Sequence, residues 1–488
     1  MTYKNPELTK KLDSIREKVF SMHDYILGSY YVNMPNMKVG NEQVNDVALF
    51  SLMTGLLKKN QLILGNYGLG KTTTSEAVTS LLYKLPGEFV GRTIIQGHPQ
   101  LTEEKIVGRL DFSKLNETEK VIFSLFAQTP SAKIIDEINR IPEGTQNTML
   151  GFVENGKFQY LNEVVTQPRH AFFATANYKD GGNTDLTPPM LDRFDVSVEV
   201  SFPKYLTSYL RGSGIDNYSV KKDLEAIDEK YLTKVFEDKT EEAETERLNA
   251  MEKLLRVPNV DKKRAMISDK AIADKIQESL LEKNRPLEEK LKQVEVYSNE
   301  FGQQLGNIGL DKTERNAIPY IINTMKFSKD AELYLDSFFD TMNSILKVNG
   351  DVSNHNKNYV VGKTQNNLSV RANMRSATQY AKFLGFLKGE EEVSVDTLTQ
   401  ILPYVINHRT EFTDDYKTEV GEFAPNSQQM EKSKQIVKDY TSEEFVKNKA
   451  MLTELYDSIR NGYAEDFLAK HPDSDLPIVK QLYHTMKK

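Results

Sequence analysis

The chain has 488 residues, which is enough for two or three domains. Hydrophobic residues make up 39% of it and charged residues 27%, an ordinary balance for a water-soluble protein. The net charge of −7 argues against a general nucleic-acid-binding surface. Because cysteine is absent, disulfides and thiolate zinc sites are excluded, and the seven histidines form no H-x-x-x-H pair that would hold a structural metal.

Membrane insertion and secretion are not expected. No apolar run approaches the ~18 residues that a bilayer-spanning helix needs. The N-terminal residues lack the apolar core of a signal peptide. The sequence therefore predicts a cytoplasmic protein without a membrane partner.

The first predicted element is a lead-in helix within residues 1–34. Its apolar stripe recurs at helical spacing, at Leu8, Leu12, Ile15 and Val19.

Residues 65–72 read G-N-Y-G-L-G-K-T, a complete G-x-x-x-x-G-K-S/T phosphate loop. The apolar run 62–64 precedes it and a helix-compatible stretch, 73–83, follows it, which argues against a chance match. Glycines let backbone N–H groups turn inward around a triphosphate, and the helix adds its positive N-terminal end. Lys71 would neutralise the β- and γ-phosphates of ATP, and the Thr72 hydroxyl would ligate Mg²⁺. The predicted cofactor-binding residues here are Asn66, Gly68, Leu69, Gly70, Lys71, Thr72 and Thr73.

Two carboxylates follow the next buried strand pattern, in the run K-I-I-D-E at 133–137. Asp136 would hold Mg²⁺, which prefers hard oxygen ligands. Glu137 would orient and deprotonate a water for in-line attack on the γ-phosphate. Such a pair alone is usually a solvated strand end, but downstream of a phosphate loop it predicts hydrolysis of the nucleotide.

Residues 136–150, D-E-I-N-R-I-P-E-G-T-Q-N-T-M-L, resemble the DEINR-x-P-x-x-T-Q-x-x-L segment of the MoxR family of AAA+ ATPases. Four further segments are similar to that family: a hairpin-like stretch at 153–158, a sensor 1 strand at 172–177, an L-D-R-F motif at 191–194 and a helix-2 insert region at 96–108. The resemblance covers residues 35–203.

The resemblance implies further site residues. Asn177 would hydrogen-bond the γ-phosphate or the attacking water, and Arg193 would act on a neighbouring subunit's γ-phosphate. The structural alternatives are a satisfied strand-end amide for Asn177 and a surface ion pair with Asp192 or Asp195 for Arg193. Val39 and Gly40 would lie near the adenine.

The same resemblance divides the chain. An α/β core at 35–205 is followed by a Lys- and Glu-rich helical insertion at 206–325, which is either a partner-binding module or a brace for a ring. An α-helical lid at 326–412 follows, with Ser328 as a helix cap. Arg371 would be sensor 2 and reach the γ-phosphate of its own subunit, with Arg375 as the alternative. Residues 413–488 are a C-terminal helical extension without a readable motif.

The predicted fold class is α/β: a P-loop AAA+ core with a parallel sheet, then an all-α lid with a long helical insertion. The leading function is a MoxR-like ATPase that uses ATP and Mg²⁺, forms a homo-oligomeric ring, expected to be a hexamer, and remodels or matures a protein client. A von Willebrand factor A domain partner is implied by resemblance only.

Two alternatives stay open. A nucleic-acid motor related to the MCM helicases is disfavoured by the negative charge and by Lys157 being the only cation in residues 151–163. A nucleotide-gated scaffold, whose insertion binds a partner, is excluded by nothing in the sequence.

Overall fold

The computed structural model describes residues 6–27, 36–66, 68–110, 121–160, 163–178, 186–200, 267–282, 285–306, 308–344, 360–361, 368–411 and 429–486. The larger part of the predicted insertion, residues 206–266, and the start of the C-terminal extension lie outside the described residues.

Five strands form the central sheet: β1 (Asn60–Gly65), β2 (Ile95–Gln96), β3 (Lys133–Asp136), β4 (Phe172–Ala176) and β5 (Val196–Val200). Their spatial order is β5-β1-β4-β3-β2, and every neighbouring pair is parallel. The strands are almost continuously buried, as strands with helices on both faces must be. This arrangement confirms the predicted α/β core.

Side chains alternate between the two faces of the sheet. Ile63 and Phe173 belong to a large apolar cluster that reaches the N-terminal helix, the lid and the C-terminal helices. Leu62 and Ala174 face a second cluster built with helix Glu143–Asn155. The remaining helices of this part of the chain are Pro6–Leu27, Asp46–Leu57, Lys71–Tyr83, Gly87–Thr93, Glu103–Ile106, Leu125–Gln128 and Pro188–Arg193.

Three small antiparallel strand pairs lie outside the central sheet. They pair Met37–Val39 with Glu42–Val44, Gly108–Leu110 with Val121–Phe123, and Lys157–Tyr160 with Glu163–Thr166. The last of these only partly coincides with the hairpin-like stretch predicted at 153–158. Residues 153–155 end helix Glu143–Asn155, Gly156 is its left-handed cap, and the strand pair begins at Lys157.

The described end of the predicted insertion is helical, with helices Lys270–Leu281, Leu287–Gln304 and Lys312–Thr324. The first docks on the core, because Arg92 donates to Asp274 (2.6 Å) and Gln277 (2.8 Å). Apolar residues of the first and third helices are buried in the large cluster: Ile272, Ile276, Leu280, Ile318 and Ile322. These helices are therefore part of the folded body, with their charged faces in solvent.

The lid begins with helix Lys329–Ser344. A π-helical segment, Arg371–Ala377, continues directly as helix Thr378–Lys388. Helix Val395–Ile406 follows and ends in a 3-10 turn at Asn407–Arg409. Ser328 accepts a hydrogen bond from the Ala331 N–H, so it caps the first lid helix. Two short strand pairs complete it: Lys326–Phe327 with Glu392–Val393, and Val360–Val361 with Thr410–Glu411.

The C-terminal helices pack onto the lid. Helix Gln429–Asp439 is joined to helix Val446–Arg460 by a π-helical segment, Tyr440–Phe445. Helices Ala464–Lys470 and Pro477–Met486 follow. Tyr440 stacks edge-on against Tyr334 and Phe338 and donates to the Ser337 hydroxyl (2.6 Å). Within the described part of the chain, no helix has the length and apolar character of a bilayer-spanning segment.

Candidate nucleotide site

The phosphate loop joins the carboxyl end of β1 to helix Lys71–Tyr83. Gly68 and Gly70 have φ values of 72° and 76°, in the left-handed region that glycine adopts without strain. At Gly65 a Cβ would come within 2.5 Å of the Val200 carbonyl oxygen on β5. The glycines of the motif are therefore required by the turn and by a close backbone approach. Asn66 is exposed, Leu69 is buried and Thr73 is half-buried on the first helical turn.

Lys71 lies at the centre of the site and is only 7% exposed. Its Nζ donates to Gly65 O (2.8 Å), Asn66 O (2.7 Å) and Asn177 Oδ1 (2.9 Å). Burial lowers the pKa of Lys71, and the charges of Asp136 and Glu137 partly oppose that shift. A partly desolvated cation with several oxygen partners is suited to exchange them for phosphate oxygens.

Asp136 ends β3 beside the helix that follows the phosphate loop. Thr72 Oγ1 donates to Asp136 Oδ1 at 2.6 Å, and Thr175 Oγ1 donates to the same carboxylate oxygen. The hydroxyl of Thr72 and the carboxylate of Asp136 are hard oxygen donors, which is the chemistry that Mg²⁺ requires. This pair of residues fits the predicted magnesium site.

Glu137 is one of three non-glycine residues of the described chain with a positive φ (53°), in the left-handed region. Gly97, after β2, makes room for it: Gly97 N donates to Asp136 O (2.7 Å), and a Cβ at position 97 would lie 2.1 Å from Glu137 O. Thr175 Oγ1 accepts from the Glu137 N–H (3.0 Å). Strained backbone of this kind persists where the surroundings enforce it, often at functional sites.

Asn177 follows β4 and joins the two halves of the site. Its Oδ1 accepts from Lys71 Nζ (2.9 Å), and its Nδ2 donates to Glu137 Oε1 (2.7 Å). Asn139 holds the Asn177 carbonyl (3.0 Å), and Arg140 lies 3.3 Å from the other Glu137 oxygen. Both ends of the Asn177 amide are therefore satisfied, and its two partners are the predicted phosphate-binding residue Lys71 and the candidate base Glu137.

Val39 and Gly40, the residues predicted to lie near the adenine, are on the first hairpin. Val39 is 1% exposed and belongs to the large apolar cluster. Gly40 has a φ of 60° in the turn of the first hairpin, and a Cβ there would come within 4.0 Å of Lys388 Cα in the lid. The structure gives Val39 a core position and leaves the adenine contact a prediction.

Arg193 lies at the opposite end of the sheet from the phosphate loop. Asn60, the first residue of β1, donates to the Arg193 carbonyl (2.7 Å). The five residue steps from Asn60 to Gly65, at ~3.3 Å each, separate the two ends of β1 by roughly 16 Å. The guanidinium donates to Glu154 (3.1 Å) and to Pro189 O (2.9 Å). The structural alternative for Arg193 is a surface ion pair with Asp192 or Asp195. In the structure Arg193 forms an ion pair, but its partner is Glu154.

The structure does not bring Arg371 to the phosphate loop of its own chain. Arg371 Nη2 donates to Glu154 Oε1 (2.9 Å), and its Nε lies 3.6 Å from Asp192 Oδ2. Arg375 pairs with Asp195 (3.3 Å). Both therefore lie at the same end of the sheet as Arg193, and the expected contact of sensor 2 with the γ-phosphate of its own subunit is not formed in this arrangement.

Three residues that matter here were not singled out from the sequence: Gly97, Glu154 and Thr175. Thr175 could have been recognised from the sequence, because it is a polar residue within the otherwise apolar strand F-F-A-T-A. Hydrogen bonding by Arg371, and then the charges of both arginines, lower the pKa of Glu154. Nothing in the local sequence marked that pairing.

Comparison with known proteins agrees with this geometry. Residues 60–194, from the start of β1 through Arg193, match the family model of the AAA domain, dynein-related subfamily. The chain has an AAA+ core followed by a helical lid. The AAA+ domain implies nucleotide binding; neither the MoxR subfamily nor a particular activity follows from this match.

Two individual proteins are similar to this chain. Structural protein ORF618 of Acidianus two-tailed virus is 30% identical over 161 residues. That alignment covers 32% of this chain and spans a quarter (25%) of the viral protein's length. A solved structure from Cytophaga hutchinsonii ATCC 33406, described as a candidate ATPase, covers 88% of this chain and 97% of its own at 15% identity and a TM-score of 0.46.

Proposed function

We propose that this AAA+ protein is a Mg²⁺-dependent ATP hydrolase that works as a ring of identical subunits and remodels a protein client, as the MoxR resemblance implies. The observation that carries the proposal is the Asn177 amide, which contacts both Lys71 and Glu137. Asp136 and Thr72 lie beside them, 2.6 Å apart. A phosphate-binding cation, a metal site and a base in one hydrogen-bonded group are the parts that phosphoryl transfer to water needs.

The hydrogen bonds suggest how the residues sense nucleotide. Lys71 now donates to three protein oxygens, one of them on Asn177. When Lys71 turns to phosphate oxygens, Asn177 loses that partner and its amide becomes free to rotate away from Glu137. The Glu137 carboxylate can then accept a proton from a water in line with the γ-phosphate. Thr72 and Asp136 would hold Mg²⁺, which would supply positive charge against the charge that develops on the phosphates.

The position of Arg193 supports the proposed ring. Because Arg193 lies roughly 16 Å along β1 from its own phosphate loop, in this proposal it acts on the nucleotide of an adjacent copy. Arg371 lies beside it, bound to the same carboxylate of Glu154. We extend the proposal to Arg371, which would work on the same neighbouring nucleotide rather than on its own. A hexamer, a protein client and a von Willebrand factor A domain partner rest on the resemblance alone.

The proposal is tested with variants of the two halves of the site. Lys71→Ala should abolish binding of a fluorescent ATP analogue. Glu137→Gln should keep that binding and lower phosphate release by ~10²–10⁴-fold, because the general base is lost. Mass photometry of Glu137→Gln with and without Mg·ATP should show assembly from small species into a ring. Normal turnover in Glu137→Gln would refute the assignment of the base.

A nucleotide-gated scaffold is the second candidate, and one observation favours it. The viral relative that aligns with a third of this chain is described as a structural protein. In a scaffold, hydrolysis would time the release of a partner and would be slow until the partner binds. Single-turnover and steady-state phosphate release distinguish the two: a steady rate without any partner supports the motor, whereas one turnover followed by arrest supports the scaffold.

A further inference from the structure

A cavity of about 480 Å³ lies between the lid and the C-terminal helices, and no residue of the candidate nucleotide site lines it. Helix Lys329–Ser344 of the lid contributes Thr341 and Met342 to one wall. The π-helical segment Tyr440–Phe445 and the helix after it form a second wall, and residues 473–477 form a third. The volume lies within the range of ~300–1,000 Å³ that is typical of ligand sites. We call it the C-terminal cavity.

The floor of the C-terminal cavity is apolar. Met342, Tyr440 and Leu476 are buried members of the large apolar cluster, and the half-buried Met451 packs against the same cluster. Methionine side chains are flexible and polarizable, so a floor with two of them adapts to ligands of varied shape. This floor therefore suits an aliphatic chain better than a bare ion.

Negative charge predominates on the rim. Among the described residues that line the cavity, Lys447 is the only cation. Five carboxylates belong to the same lining: Asp439, Glu443, Glu444, Asp473 and Asp475. Such an excess of one charge attracts a ligand of the opposite sign.

Two of these carboxylates are available to a ligand. Glu443 and Asp473 are exposed, and within the described part of the chain neither side chain takes part in a hydrogen bond or an ion pair. Two others already have partners within 3.0 Å on their own helices, Asp439 with Gln435 and Asp475 with Lys480. A cation bound at the rim would therefore meet Glu443 and Asp473 without breaking an existing contact.

The spread of the carboxylates disfavours a metal ion as the occupant. Among the residues that the structure describes, no group of three Asp, Glu, His or Cys side chains could hold a metal ion. Calcium and magnesium need several oxygen ligands that converge on one point. An arginine or lysine side chain instead has a long apolar stem for the floor and a charged end for separate carboxylates.

The wall that carries Glu443 is irregular. The π-helical segment Tyr440–Phe445 interrupts two regular helices, and it contributes Tyr440 to the floor and Glu443 and Glu444 to the rim. Segments of this kind are rare and are found frequently at functional sites. Its position in the wall supports a binding role for the cavity.

We propose that the C-terminal cavity binds an extended segment of a partner protein, with an arginine or lysine side chain that lies over the apolar floor and pairs with Glu443 and Asp473. One wall belongs to the lid and the other two to the C-terminal helices, so the bound segment would join these two parts. This inference goes beyond the proposed function and depends on no residue of the nucleotide site.

A peptide of defined charge tests the proposal. The probe is a fluorescein-labelled hexapeptide of alternating arginine and leucine, and its fluorescence anisotropy is measured with the full-length wild-type protein. We expect saturable binding that weakens as salt is added, because the rim carboxylates are exposed. The same peptide with citrulline, an uncharged analogue of arginine, should bind ~10-fold more weakly. Equal binding of the two peptides, or no binding of either, would overturn the inference.

Variants of the rim should shift the affinity in opposite directions. Glu443→Gln combined with Asp473→Asn should weaken binding of the arginine peptide by ~10-fold, whereas Lys447→Gln removes the competing cation and should strengthen it by ~3-fold. The matched control, Glu465→Gln combined with Asp466→Asn, removes two exposed carboxylates from a helix that does not line the cavity. It should bind as wild type does. Equal weakening in both double variants would show a general attraction to negative charge, and the proposed site would be wrong.

Two further measurements identify other occupants. Displacement of the arginine peptide by free Ca²⁺, together with a higher melting temperature, would assign the cavity to a metal ion. Self-association without nucleotide that is lost in the double variant Glu443→Gln, Asp473→Asn would assign it to a second copy of the chain. Either result would overturn the partner segment. Because phosphate release enters none of these measurements, such a failure leaves the proposed function untouched.

Discussion

Glu137 shows how a single backbone conformation positions the candidate base. Its left-handed backbone turns the chain sharply after β3, so that its carboxylate meets Asn177 while its N–H meets Thr175. An L-residue in this region costs of order 1–3 kcal/mol, which the neighbouring contacts must offset. Gly97 is one of those neighbours, since only a residue without a Cβ leaves room for the Glu137 carbonyl.

Gly97→Ala should therefore damage the site without touching any charged group. The new Cβ would lie within 3 Å of three backbone atoms of Asp136 and Glu137, so the backbone must shift. We expect hydrolysis to fall by on the order of 10²-fold, as misplacement of a catalytic group by ~1 Å does. The measurement is phosphate release at saturating ATP. Gly144→Ala, where a Cβ meets nothing within 4 Å, should keep full activity; equal activity in both variants would contradict the argument.

Thr175 provides a second prediction at this scale. Its fully buried hydroxyl donates to Asp136 and accepts from Glu137 N, so Thr175→Val leaves both without that partner. Each lost buried partner costs ~1–3 kcal/mol. We expect a turnover at least ~10-fold lower and a higher Mg²⁺ concentration for half-maximal rate, both measured by Mg²⁺ titration of phosphate release. Thr175→Ser keeps the hydroxyl and should restore the Mg²⁺ requirement; a serine variant as impaired as valine would point to packing instead.

At the scale of elements, the sequence was informative wherever a motif followed a strand. Parallel strands end at one edge, so a phosphate loop after β1, two carboxylates after β3 and an amide after β4 had to converge. The position of Arg371 could not be predicted in this way. Its partner Glu154 is 217 residues away, and the angle between lid and core, which no local pattern encodes, decides which end of the sheet it reaches.

The joint between β5, the lid and the C-terminal helices contains a buried acid. Glu199 accepts from Asn407 Nδ2 (3.3 Å) and from Met430 N (3.2 Å). Burial raises its pKa to about 7, against the hydrogen bonds and Lys434, which lower it. The neutral carboxyl is thus the form that this joint favours.

This shift sets the direction of a pH effect on stability. In the unfolded chain the carboxyl ionises near its usual pKa of 4.5, whereas in the fold it keeps its proton until about pH 7. Folding therefore retains a proton in that window, and the contribution of Glu199 to the free energy of unfolding falls as pH rises from 4.5 to 7, by on the order of 2–3 kcal/mol. Glu199→Gln should remove this dependence and be more stable than wild type at pH 8.

Thermal unfolding at pH 5, 6 and 8 measures the difference between the two proteins. Glu443→Gln is the matched control, because Glu443 is an exposed acid on the C-terminal helices and is not among the charges that shift the pKa of Glu199. It should follow the wild-type pH dependence. A Glu199→Gln variant whose melting temperature tracks wild type at all three values would show that Glu199 ionises normally in the fold.

At the scale of the whole molecule, the two ends of the sheet present different groups. One presents the candidate nucleotide site with its hydrogen bonds, and the other presents Arg193 and Arg371 paired with Glu154. Helix Glu143–Asn155 runs from just after the Glu137 turn to the arginines, so it is a rigid connection between the site a subunit offers and the surface it contributes. Activity should then belong to pairs of adjacent subunits rather than to single chains.

Hydrolysis per subunit should therefore rise with protein concentration and level off when rings are complete. Met374→Glu should move this rise to higher protein concentration, because a carboxylate at an exposed position beside Arg371 opposes contact with a triphosphate-bearing neighbour and competes for the guanidinium. The melting temperature of the isolated subunit should not change, since the side chain is 67% exposed. Val296→Glu, 56% exposed on another helix, is the control. A flat activity curve in wild type, or equal curves for both variants, would place the subunit contact elsewhere.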